Sequence, residues 1–149
     1  MTQAYKYSIL YFLLFSILLL GSSFMLFEEK IGLSVANVLE YYQGNEEKFI
    51  MAKSNAGILK VILPHIFAFG LFIMVVQHFL LFTGYKKSKQ FLVLIYASFT
   101  TAFLELVSPF FILQGFEVFA YVKLISFGLL EFLLLYTFAL LFRCIIPRL

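Results

Sequence analysis

The side chains best suited to chemistry in this chain are His65, His78, Glu105, Lys123 and Glu131. Each falls inside a long apolar run, where an ionisable group is costly and marks a candidate functional position. Taking "outer" as the side away from the lysine-rich loop at Lys86-Lys87-Ser88-Lys89, depths follow by counting from the centre of each run. His65 belongs in the outer half and His78 near the inner boundary. Glu105 lies slightly outward of the middle, Lys123 in the outer half and Glu131 close to the middle. His65, Glu105 and Lys123 therefore share a layer. Lys123 has two readings. It can pair with Glu105 or Glu131, or it can snorkel to the outer interface, about one and a half turns away. Snorkelling is the simpler of the two.

Ser98, Thr101, Glu105 and Ser108 recur at spacings of three, four and three, which makes one polar stripe on a helix. Lipid offers such a stripe no partners, so it is expected to face the protein interior. Pro109 follows directly and is expected to loosen the helix and free a backbone carbonyl beside the stripe. The chemical reading is a polar path or proton-carrying site, with Glu105 as the coupling acid of a small transporter. The plain reading is polar contacts that hold helices together, each contributing roughly 0.6–2 kcal/mol.

The histidines are thirteen residues apart on one run, or roughly 20 Å along a helix. That spacing resembles membrane cytochromes b, in which one helix serves an outer and an inner haem. The resemblance implies haem b held by His65, with His78 as the second metal-ligating position. The 21 phenylalanines and 9 tyrosines could line flat cofactor pockets. Thirteen residues at roughly 100° each put the two rings about 140° apart around the helix, and the chain has no third histidine. A sixth ligand must come from Met25, near the outer end of the first run, from a partner subunit, or from a second copy in a dimer. The alternatives are a hydrogen-bonded His65 with an interfacial His78, or proton transfer and quinone contact.

Four apolar runs must position these groups, at about residues 7–27, 58–82, 91–113 and 118–142. With 63% hydrophobic and 13% charged residues and a mean hydropathy of +1.01, the chain has too little charge to cover a water-soluble domain. About 20 residues span the hydrocarbon core, and unpaired backbone in lipid forces each run into a helix. The expectation is one all-α domain over residues 1–149, an integral membrane four-helix bundle. The first run resembles a signal peptide, but its apolar character continues through Phe27, so a retained helix is expected. Lysine and arginine concentrate at Lys6, Lys86, Lys87, Lys89, Arg143 and Arg148, whereas the 28–57 loop carries five glutamates against Lys30, Lys48 and Lys53. This predicts both ends inside. The net charge of +3 thus reports topology, and no nucleic-acid partner is expected. The 28–57 loop is expected to form amphipathic structure on the outer face, as a lid or a packed cap. Ser34 would cap a helix bearing Val35, Val38, Leu39 and Tyr42, Gly44 would stop it, and a second short helix would start at Asn45 and carry Phe49 and Ile50.

Gly32-Leu33-Ser34 and Tyr41-Tyr42-Gln43-Gly44-Asn45, followed by a histidine near the next helix start, resemble a group of small bacterial four-helix membrane proteins. Those often carry His-x-His there, and this chain has His65 alone. The resemblance implies an inner-membrane protein in respiratory surroundings. One cysteine, Cys144, excludes an intramolecular disulfide or thiol-redox pair, and its simplest reading is a small buried or interfacial residue. No aspartate, phosphate loop or HExxH occurs, so an independent enzyme is not expected. Three functions remain: a haem b electron-transfer or respiratory accessory protein, a structural subunit bound to lipid and larger partners, and a proton-coupled transporter using Glu105.

Overall fold

A computed structural model describes residues 3–83 and 88–145. Its helices are α1 (Gln3–Lys30), α2 (Val35–Gln43), α3 (Asn55–Leu80), α4 (Lys89–Leu113) and α5 (Val118–Ile145). Four of them, α1, α3, α4 and α5, are long and apolar enough to cross a membrane, and the chain is a multi-pass membrane protein in contact with lipid. Capping, not hydropathy, sets where α3 and α4 begin. Ser54 and Ser88 accept hydrogen bonds from the backbone N–H of Gly57 and Phe91, which starts α3 and α4 earlier than hydropathy predicts. At the other end of α3, the Thr83 hydroxyl donates to the Leu80 carbonyl at 2.7 Å. The helix stops there instead of reaching Phe82.

The α4–α5 pair forms the centre, joined by a short turn in which Gly115 takes φ +90°. Small buried residues, Ser98, Thr101 and Ala102 on α4 with Ala120 and Ser126 on α5, suit the close approach that packing in lipid requires. The α3 helix packs on both, and α1 packs on α5. Near the start of α1, Tyr5 meets Phe79 and Phe82, and Phe12 meets Phe72 and Phe79. Thus α1 runs antiparallel to α3, and rings join the two helices at the end remote from α2. The basic residues Lys86, Lys87 and Arg148, on which the orientation rests, lie outside the described residues.

The α2 helix starts at Ser34, whose hydroxyl accepts from Asn37 N–H at 3.1 Å. Val38 and Tyr42 are buried against Ile58, Ile62, Ile112 and Ala120. Its apolar face therefore packs on the bundle end. The cap is fastened by Gln43, whose amide donates to the Ile112 carbonyl at 2.9 Å. The short helix expected from Asn45 is absent. Residues 45–50 form a tight turn closed by paired backbone bonds between Asn45 and Ile50. Gly44 at φ +82° reverses the chain, and six residues offer a helix too few bonds to offset its nucleation cost.

Gly44→Ala tests this turn. A Cβ there would lie 2.6 Å from both the Ala52 nitrogen and the Ile50 oxygen, at a φ that side chains avoid. We expect a loss of more than about 1 kcal/mol, read as at least fivefold faster hydrogen exchange of the α2 amides in micelles. Unchanged exchange would contradict it.

Candidate functional site

Pro109 has no N–H to give the carbonyl four residues back, which is that of Glu105. Lys123 of α5 fills the vacancy. Its Nζ donates to the Glu105 carbonyl at 3.1 Å and also to the Glu105 carboxylate Oε1. Lys123 is 5% exposed and Glu105 8%. Snorkelling is therefore corrected to burial. Two acceptors on one residue hold the ammonium inside more firmly than an interface reached by extension. Glu131 stays half-buried, neighbours Ser23 of α1, and takes no part in the pair.

Ser98, Thr101, Glu105 and Ser108 are all buried. Ser108 returns its hydroxyl to the Leu104 carbonyl. Further along α4, Gln77 of α3 donates to the Ser98 hydroxyl at 3.4 Å. The Gln77 Oε1 is buried without a hydrogen-bond partner. A column of polar groups therefore runs from Glu105 past Thr101 to Ser98 and Gln77, away from the α2 end. Beyond it Leu80, Phe91 and Leu94 close the interior with apolar packing.

On the α2 side the pair faces a cavity of about 480 Å³. Tyr41 and Tyr42 of α2 roof it, and Phe27 of α1 stacks on Phe127 of α5 with centroids 3.8 Å apart to form one wall. Ile58, Val61, Ile62, His65 and Phe69 of α3 form another, and Lys30 and Lys53 complete the lining. A separate open depression of about 680 Å³, lined by the 52–55 segment and the α4–α5 turn, holds none of the buried charges. The Tyr42 phenol is pushed well above its ordinary range, chiefly by burial, with Glu105 and then Tyr41 adding to the effect.

His65 thus meets Glu105 and Lys123 in one cavity, with its Nδ1 donating to the Val61 carbonyl at 2.6 Å. His78 and Met25 do not line it. Met25 is 70% exposed on the outer surface of α1, and His78 is exposed near the far end of α3 against Phe82. No group of three or more metal-ligating side chains occurs among the described residues. Sequence reasoning missed Lys30 and Lys53 as parts of the outer half of the site, and did not single out Tyr42 as its roof. Lysines bracketing an otherwise acidic loop were the available signal.

Two expectations follow. Lys123→Met leaves Glu105 buried and unpaired and should cost about 3–5 kcal/mol. The double variant with Glu105→Gln should recover at least about 1 kcal/mol of the summed losses, read by thermal unfolding in detergent; strict additivity would refute the coupling. For Tyr42, the unfolded phenol ionises above pH ~10 while the folded one keeps its proton. Stability should therefore fall by about 1.4 kcal/mol per pH unit above that point. Tyr42→Phe should remove that part of the slope, and an unchanged slope would count against the buried phenol.

No curated protein and no solved structure matches this chain significantly, and the likeness to membrane cytochromes b finds no support. A family model described as a transmembrane helical domain matches residues 32–148, from the start of the cap through the last span. Since that match covers most of the chain, including Glu105, Lys123 and His65, the protein belongs to the Aq_1264_TM family of transmembrane helical domains.

Proposed function

We propose that the protein is a small membrane carrier, with the Glu105–Lys123 pair as its exchangeable anchor and Glu105 as its coupling acid. The observation that carries this reading is a buried ion pair at the foot of a roofed cavity, continued by polar groups towards the other face. Separating two charges in a low-dielectric interior is expensive. The pair therefore opens only when a proton reaches Glu105 or an anion reaches Lys123. Either event ties occupancy of the cavity to the packing of α4 against α5, the coupling that a carrier needs. The apolar packing at Leu80, Phe91 and Leu94 closes this conformation on the side remote from α2. The lysine distribution supports a cytoplasmic-membrane location with α2 outside.

Haem b ligation through His65 is the weaker reading. It rests on histidine spacing, while Met25 points away from the cavity. A purely structural subunit leaves the cavity and its charges without a role.

Single cysteines in a Cys144→Ser background test the carrier. In right-side-out and inverted vesicles, Val61→Cys should react with an impermeant maleimide from the α2 side. Thr101→Cys should react from both sides in turn, and adding Glu105→Gln should slow one of those rates at least tenfold, about 1.4 kcal/mol. Labelling of Thr101→Cys from one side only would end this reading.

A further inference from the structure

The cavity is not closed on all sides. Leu26 of α1 and Val61 of α3 both line it, yet they are 50% and 55% exposed. They stand on the two helices whose ring contacts lie at the remote end. The cavity therefore opens sideways between α1 and α3, towards lipid. Its rim is cationic. Lys30 ends α1 and Lys53 precedes the Ser54 cap, and both line the cavity. The ion pairs found among the described residues are Lys48–Glu40 and Lys123–Glu105, so neither rim lysine is neutralised. Lys53 sits 4.6 Å over the Tyr41 ring, a cation–π contact that holds its ammonium at the roof. The carboxylate lining the cavity, Glu105, is already engaged by Lys123.

Two free cations above an apolar chamber with a lateral mouth define a ligand of matching chemistry. We propose that the cavity receives an anionic phospholipid from the bilayer, with its phosphate between Lys30 and Lys53 and one acyl chain against Ile58, Ile62 and Phe127. This rests on the carrier reading and names its substrate class. Each lysine offers a charge-assisted contact to a phosphate oxygen, and the volume lies within the range of about 300–1,000 Å³ usual for ligand sites. A soluble anion would satisfy the lysines but leave the apolar walls facing water. A zwitterionic lipid would fill the walls, but its own ammonium would offset the rim charge.

The test is native mass spectrometry of the full chain in detergent, supplied with phosphatidylglycerol, phosphatidylcholine or inorganic phosphate. One phosphatidylglycerol per chain should be retained at least about tenfold better than phosphatidylcholine. Lys30→Gln with Lys53→Gln should abolish that preference. Val61→Trp, which plugs an exposed mouth without touching the buried pair, should reduce retention of phosphatidylglycerol by a similar factor. Equal retention of the two lipids, displacement of phosphatidylglycerol by inorganic phosphate, or retention untouched by either variant would overturn the proposal. Side-switching of Thr101→Cys without lipid selectivity would defeat the lipid site and leave the carrier standing. Selective lipid retention without side-switching would support the lipid site and defeat the carrier.

Discussion

Pro109 takes one hydrogen-bond donor out of α4, and the polar interior is arranged around the acceptor this leaves. In lipid an unpaired carbonyl costs several kcal/mol, so the Glu105 carbonyl needs a substitute donor. Lys123 supplies it at 3.1 Å. The same ammonium neutralises the Glu105 carboxylate. A backbone defect, a buried cation and a buried anion therefore satisfy one another. None of the three would be tolerable alone at this depth.

The arrangement joins two structural scales. Locally, Lys123 bridges α5 to the carbonyl that Pro109 leaves unpaired in α4, inside the most extensive helix pair of the bundle. Globally, the bridge forms the foot of a cavity whose other walls come from α1, α2 and α3. Any change in the charge of Glu105 is thus felt by the central helix pair and by the chamber together. The aromatic contacts between α1 and α3 hold the opposite end shut, so the α2 half is where those two helices can separate at least cost in packing.

Much of this was legible in the sequence, and the gaps have physical causes. Four spans follow from apolar length alone. The stripe through Ser98, Thr101, Glu105 and Ser108 follows from helical periodicity, which fixes a shared face without an alignment. Lys123 was harder. The α5 helix is apolar nearly all round, so depth could be counted but direction could not, and a lysine near a helix end has a ready route to water. The α2 helix was ambiguous for a different reason. A face bearing Val38 and Tyr42 suits a bilayer surface or a bundle end equally well, and only the presence of Ile58, Ile112 and Ala120 beneath it decides. The rim lysines were visible only as loop charges, because their meeting at one cavity depends on how α1 and α3 enter the bundle.

The turn after α2 carries one more consequence. Phe49 is the non-glycine residue at positive φ among the described residues, at 57°, and its ring is 93% exposed. Left-handed backbone costs an L-residue on the order of 1 kcal/mol, and an exposed ring gains nothing from the fold to offset it. Glycine at this position would relax the turn at no expense in packing. The stiffness of the cap can therefore be adjusted at position 49, independently of the buried charges that the cap shelters.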